Sequence, residues 1–138
     1  MITKLRIRNF KGWKDTGELR LAPITVLFGG NSSGKSSIGQ FLMMLKQTTE
    51  SNDRVAGLQL GGSQRSIVDM GTWEDMVYGH QSEAALSFSL EWELPQQIRV
   101  NDPVKDLDVS GSHLALESTI GLMSKNGAGS VRCKDFRY

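Results

Sequence analysis

Between residues 29 and 36 the chain reads Gly29-Gly30-Asn31-Ser32-Ser33-Gly34-Lys35-Ser36, a run that few folds can house. It satisfies G-x-x-x-x-G-K-[ST], in which glycines permit a tight concave backbone and the Lys-Ser pair opens a helix. The flanks fit this reading. Ile24-Thr25-Val26-Leu27-Phe28 is a β-rich apolar run suited to a buried strand. From Ser37 to about Thr49, Ile38, Phe41, Leu42 and Leu45 fall at i, i+3, i+4 and i+7 of an amphipathic helix. Strand, glycine turn and helix are the context that the motif requires. The expectation is an α/β chain built on the βα phosphate-loop unit of a P-loop NTPase.

In such a loop the backbone N–H groups of Gly29, Gly30, Asn31, Ser32, Ser33 and Gly34 form a nest for phosphate oxygens, and the helix opened by Lys35, Ser36 and Ser37 adds its positive end. Lys35 is the expected catalytic residue, reaching the β- and γ-phosphates of a nucleoside triphosphate as a point charge. Ser36 is the expected metal contact, placing its hydroxyl on Mg²⁺. A glycine-rich turn that merely caps a helix is the bland alternative, and the flanking context disfavours it.

The length of 138 residues suits one domain. With 16 basic and 15 acidic residues the formal charge is +1, which implies no broad field for polyanions. A local basic strip at Lys4, Arg6, Arg8, Lys11 and Lys14 reads first as a solvated strand face and second as a nucleic-acid contact. Cys133 is the single cysteine, so no intrachain disulfide forms, and His80 and His113 make no metal-ligand spacing. There is no apolar signal core and no apolar run of membrane-spanning length, so a soluble cytoplasmic protein is expected, without membrane partners.

Along the chain, alternation predicts a first strand through Leu5 and Ile7 ending near Phe10, with Glu18-Leu19-Arg20-Leu21 as its hairpin partner. Short strands are expected at Val55 to Leu60 and Ser66 to Met70 around Gly61-Gly62-Ser63. Thr72-Trp73-Glu74-Asp75 predicts a capping box and a short helix through about Tyr78. Ala84 to Leu94 alternates cleanly, Pro95 to Gly111 reads as a polar surface loop, and Leu114 to Leu122 alternates again. Lys125-Asn126-Gly127 is a hairpin turn signal before a return strand over Val131 to Tyr138, which stops as though cut mid-element.

The combination of Lys4-Leu5-Arg6-Ile7-Arg8-Asn9-Phe10-Lys11-Gly12-Trp13, a hairpin, and Thr25 to Ser37 resembles the start of an ABC-type ATPase head. The similarity is closest to the SMC, RecF and OLD-like branch, whose members pair an "nFk-x-[FW]" strand end with a "G-x-N-x-[SA]-G-K-[ST]" loop. The segment from Gly57-Leu58-Gln59-Leu60-Gly61-Gly62 through Val68-Asp69-Met70-Gly71-Thr72-Trp73-Glu74-Asp75-Met76-Val77 resembles a stretch of bacterial OLD-like AAA ATPases, many of them predicted antiphage-defence components. The resemblance implies that residues 1–138 form the N-terminal lobe of such a head, joining the βα unit to a largely antiparallel β subdomain. It implies Lys11 near the phosphates or base, with Trp13 at the same edge; the residues alone read Lys11 equally well as a solvent-facing lysine, and Trp13 rather as packing for the hairpin. It further implies ATP sandwiched between two heads of a homo-oligomer, driving a nuclease, a toxin or a DNA-engaging partner.

Hydrolysis in those heads needs a Walker B strand ending in Asp-Glu. Ile67-Val68-Asp69 and Leu90-Glu91-Trp92-Glu93 are the nearest candidates, and neither has the continuous apolar run of a buried parallel strand. Leu60-Gly61-Gly62-Ser63-Gln64 has the letters of the ABC signature in permuted order and reads as a turn. Asp108-Val109-Ser110-Gly111 matches a GTPase D-x-x-G, but no guanine-reading N-K-x-D accompanies it. Gln64 and Gln81 compete, without a decision, for the glutamine that contacts Mg²⁺ and water. The stretch is therefore expected to hold ATP and to need downstream elements to cleave it. A nucleotide-sensing scaffold, or a P-loop kinase or GTPase, stands as the alternative.

Overall fold

The computed structural model describes residues 1–53, 57–64, 66–102, 107–125 and 128–138. Strand β1 (Ile2–Phe10) buries Leu5 and Ile7 and turns Lys4, Arg6 and Arg8 to the other face, as a period of two demands. Asn9 would come next on the inner face. Its φ of 58° breaks the phase instead, and Phe10 enters the core. Asparagine tolerates that left-handed region better than most residues, and here its Nδ2 donates to the Ala85 carbonyl at 2.9 Å.

After the turn at Gly12, β2 (Trp13–Asp15) and β3 (Leu19–Arg20) pair in tandem with β1, at Phe10↔Trp13 and Leu5↔Leu19. Strands β4 (Leu86–Asp102), β5 (Leu107–Lys125) and β6 (Ala128–Arg137) extend the sheet in the order β2-β1-β4-β5-β6. Every pairing among the described strands is antiparallel.

Helix α1 (Lys35–Glu50) lies on the apolar face of this sheet. Its buried line is Ile38, Phe41, Met44 and Gln47, while Leu42 and Leu45 pack partly against the core. Phe41 is fully buried between Phe10 of β1 and Phe88 of β4, with both centroid separations 5.2 Å and interplanar angles of 75° and 69°. These are edge-to-face pairs, the arrangement that ring quadrupoles favour. Gln47 is buried and satisfied. It donates to the Gln59 carbonyl at 2.6 Å and accepts the N–H groups of Ile67 and Val68 at 3.0 and 3.1 Å.

Helix α2 (Trp73–Met76) carries the expected capping box, Thr72 with Asp75, but ends at Met76, and a 3₁₀ turn (Tyr78–His80) follows. The β1 strip is neutralised across the sheet: Lys4 pairs with Glu18 and Glu91, and Arg6 and Arg8 with Asp15. That pairing favours a solvated strand face over a nucleic-acid contact.

Four expectations change. Ile24 to Phe28 forms no strand; no described strand pairs with it, and Ile24 and Phe28 are 85% and 91% exposed. A parallel strand needs neighbours and covering layers, and this segment has neither among the described residues. The strand half of the βα unit is therefore not formed. Residues 57–60 and 66–70 are loop, joined among the described residues by a backbone bond from Met70 N–H to the Leu60 carbonyl at 2.7 Å; residues 55 and 56 of that expected strand lie outside the described residues. The loop expected from Pro95 to Gly111 is a continuation of the β4–β5 hairpin, with Ile98↔Gly111 and Arg99↔Ser110 in register. Pro95, which cannot donate to a ladder, falls inside the register shift between Glu93 and Ile98. Asn126 and Gly127 of the expected turn lie outside the described residues.

Truncating Phe41 to Ala removes the ring shared by β1 and β4. Chemical denaturation should show a loss of about 3–5 kcal/mol, the usual cost of an aromatic-to-alanine change in a core. Asp75 accepts the backbone N–H of Thr72 at 2.9 Å and its hydroxyl at 2.8 Å, and these bonds hold its carboxyl below the ordinary range. Arg6, the Gly17 N–H and Arg8 do the same for Asp15, more strongly. A depressed carboxylate stabilises the fold fully above its unfolded pKa of about 3.9 and loses that contribution as pH falls towards the folded value. The thermal midpoint should fall on acidification below about pH 4. It should fall less steeply in Asp75→Asn, as circular dichroism melts across pH would reveal.

Candidate phosphate-loop site

The loop and the start of α1 form a pocket of about 210 Å³ lined by Gly12 and by Ser32, Ser33, Gly34, Lys35, Ser36 and Ser37. Gly34 is the N-cap of α1, with φ 84°. Only glycine adopts that backbone routinely, and here space forbids anything else: an added Cβ would lie 2.5 Å from Trp13 Nε1. No side chain caps the helix. The Ser37 N–H bonds back to the Gly34 carbonyl at 3.1 Å, and the amides of Lys35 and Ser36 precede the first intrahelical bond and can meet an outside acceptor. Ser32 also has a positive φ, 61°, and Gly29 has 152°. The loop is thus bent by residues in left-handed conformations, as a concave nest requires.

Lys35 folds back onto the loop. Its Nζ donates to the carbonyls of Gly29 and Gly30 at 2.9 and 2.5 Å and lies 3.5 Å from Ser33 Oγ. A phosphate entering here would offer the ammonium charge-assisted bonds, about twice as strong as those to neutral carbonyls. The exposed Ser36 borders the same pocket. No carboxylate is among the lining residues.

The structure thus brings Ser32 to Ser37 around one cavity. Gly29 and Gly30 reach it through Lys35, and Asn31 sits exposed in the turn between them. Lys11 does not line the cavity; its Nζ donates to Gln40 Oε1 at 2.8 Å, on the second turn of α1. Trp13 comes closer than a hairpin-packing role requires, its indole N–H donating to the Gly34 carbonyl at 3.0 Å. Sequence reading missed this bond and the bracket made by Gln47. The aromatic of the "nFk-x-[FW]" pattern was a signal for the first, whereas one glutamine in a helical stripe gave none for the second.

The competing motifs fall elsewhere. Asp69 accepts from Gly71 N–H in a loop, and Glu91 and Glu93 sit on β4 facing Lys4 and His113. Ser63 and Ser66 close a hydrogen-bonded turn where the signature letters stand, and no helix opens there. Asp108 to Gly111 lies within β5 instead of in a loop, which removes the GTPase reading of those letters. Gln64 and Gln81 are exposed and do not line the cavity. Among the described residues no group of three or more His, Cys, Asp or Glu side chains could hold a metal, and no helix is long and apolar enough to cross a membrane.

A second shallow pocket of about 180 Å³ lies on the outer sheet face, between Arg6 and Arg8 on one side and Glu117 and Asp135 on the other. Its arginines share the Asp15 carboxylate, and Glu117 and Asp135 in the lining set two acidic side chains against an incoming anion.

The Gly34 geometry makes a direct prediction. Gly34→Ala places a side chain in the left-handed region, at roughly 1–2 kcal/mol, and displaces the Trp13 ring. The thermal midpoint should drop, accompanied by a changed tryptophan emission; an unchanged melt and spectrum would refute the packing described here.

A family profile described as AAA ATPase domain matches residues 1–109 of the chain. No curated protein matches it.

Proposed function

This chain belongs to the AAA ATPase domain family, and on that premise we propose that residues 29–37 bind Mg–ATP. One observation carries the reading: Gly34, Lys35 and Ser36 open an uncapped helix at a pocket whose ammonium rests on loop carbonyls that a phosphate would displace. Lys35 would bind the β- and γ-phosphates, and the first amides of α1 would take the remaining oxygens. The donor set suits Mg²⁺ in the way that phosphate-loop sites hold it, through one hydroxyl, that of Ser36, with phosphate and water completing the shell. Bound there, the ion would neutralise charge building on the phosphate oxygens.

In heads of the OLD, SMC and RecF-like type a Walker B carboxylate activates water, and the cavity lining contains no carboxylate. We therefore read residues 1–138 as the nucleotide-holding lobe of an ATPase head of the OLD, SMC and RecF-like type, cleaving ATP once a Walker B strand and a signature segment join it. In that reading two heads close on shared ATP and reopen after hydrolysis, switching a nuclease, toxin or DNA-engaging partner, with antiphage defence as the setting. One competitor is a sensor that binds ATP without turning it over.

Thermal melts in Mg–ATP test the binding that both readings share. At a concentration of one hundred times Kd, ligand binding stabilises the folded state by about 2.7 kcal/mol. The wild-type midpoint should rise accordingly, and Lys35→Ala should abolish the rise while leaving the ligand-free melt in place. No rise in the wild type sinks the proposal. In the full-length protein with its downstream segments, release of phosphate that depends on Lys35 identifies an ATPase head; tight binding there with no release identifies the sensor.

A further inference from the structure

We propose that Trp13 is the positioning residue of the phosphate loop, its indole setting the direction in which the Lys35 amide meets a phosphate. The inference rests on the nucleotide reading above. The peptide joining Gly34 to Lys35 is planar and trans, so its C=O and its N–H point in opposite directions. Whatever holds the Gly34 oxygen therefore aims the Lys35 N–H. The helix holds it through its own amides, the Ser37 N–H at 3.1 Å among them, and Trp13 Nε1 holds it from outside the helix at 3.0 Å. The Ser37 bond belongs to the helix and turns with it. The indole belongs to the sheet and references the peptide plane to β1.

The reference is needed because glycine is the residue whose backbone is least determined by its own sterics. At φ 84°, Gly34 would otherwise leave this plane the softest in the loop. The ring confines it closely enough that a Cβ on Gly34 would lie 2.5 Å from Nε1 and 2.9 Å from Cε2.

Trp13 is itself held by an over-determined turn. Asn9 and Lys11, neither of them glycine, have φ of 58° and 46°. Such conformations persist only where the surroundings enforce them, and they gather at functional sites. Here Asn9 is tied to Ala85, the Lys11 N–H to the Met76 carbonyl at 2.7 Å, and Lys11 Nζ to Gln40 at 2.8 Å. Phe10 bridges to Val77 and pairs in register with Trp13. Three parts of the fold thus converge on one turn, from which the indole reaches the loop.

Trp13→Phe keeps an aromatic ring at the position and removes the indole N–H with the five-membered ring that carries it. In the full chain its Mg–ATP affinity should fall about three- to tenfold, the range of one net hydrogen bond, while its ligand-free thermal midpoint stays near the wild type. Trp92→Phe, whose ring lies near Tyr138 on the far part of the sheet, should bind as the wild type does. A second readout needs no variant at the site. The Trp13 indole signal in a ¹H–¹⁵N spectrum, among three tryptophans, should shift on titration with Mg–ATP and saturate with the same Kd as the melt. If the wild type binds ATP while the indole signal stays still and Trp13→Phe binds equally well, the positioning role is overturned and the nucleotide site survives. A wild type that does not bind ATP overturns both. If Trp13→Phe lowers the ligand-free midpoint and leaves affinity intact, the indole is packing alone and the proposal fails.

Discussion

Phe41 is where helix and sheet become one body. A helix of 16 residues made without tertiary contacts is marginal in water, and α1 has a glycine within it, at Gly39, and no side-chain cap. Its stability comes from the face it buries. Phe41 stands between Phe10 and Phe88, on neighbouring strands of the sheet, so that one ring registers the helix against both. The phosphate loop ends at the first residue of that helix. The place of Gly34 and Lys35 in space is therefore inherited from an aromatic contact two turns away.

Much of this was legible because the strongest sequence signals are local. Leu5 and Ile7 against Lys4, Arg6 and Arg8 could only be a strand with one wet face, and Thr72 with Asp75 could only favour a helix start. The α1 stripe was readable for the same reason. What failed had a non-local cause. Ile24 to Phe28 has strand composition, but composition cannot supply the neighbouring strand that a parallel ladder needs. Residues 98–111 failed in the opposite direction. Beyond Glu93 the hairpin leaves the core and residues 95–99 are exposed, so alternation disappears although backbone pairing continues.

The candidate site divides in the same way. Residues Ser32 to Ser37 were readable as a contiguous motif because a phosphate nest is made by consecutive backbone amides. The contacts that orient the nest are not contiguous: Trp13 and Gly34 are 21 residues apart in sequence, and the bond between them depends on how β1, β2 and α1 pack. Lys11 shows the limit of reading a role from proximity in a motif. The turn that presents Trp13 to the loop directs the Lys11 ammonium to Gln40.

Gln47 gives helix α1 a second fixed end. One side-chain amide is bonded to three backbone groups of residues 59–68, and Thr48 adds a bond from Gln59 N–H at 2.9 Å. A helix of this length is about 24 Å from end to end, rigid along its axis and fastened at the far end through hydrogen bonds instead of through packing alone. Held at Phe41 by two rings and at Gln47 by three backbone groups, the helix cannot tilt its phosphate end without disturbing one of these two attachments.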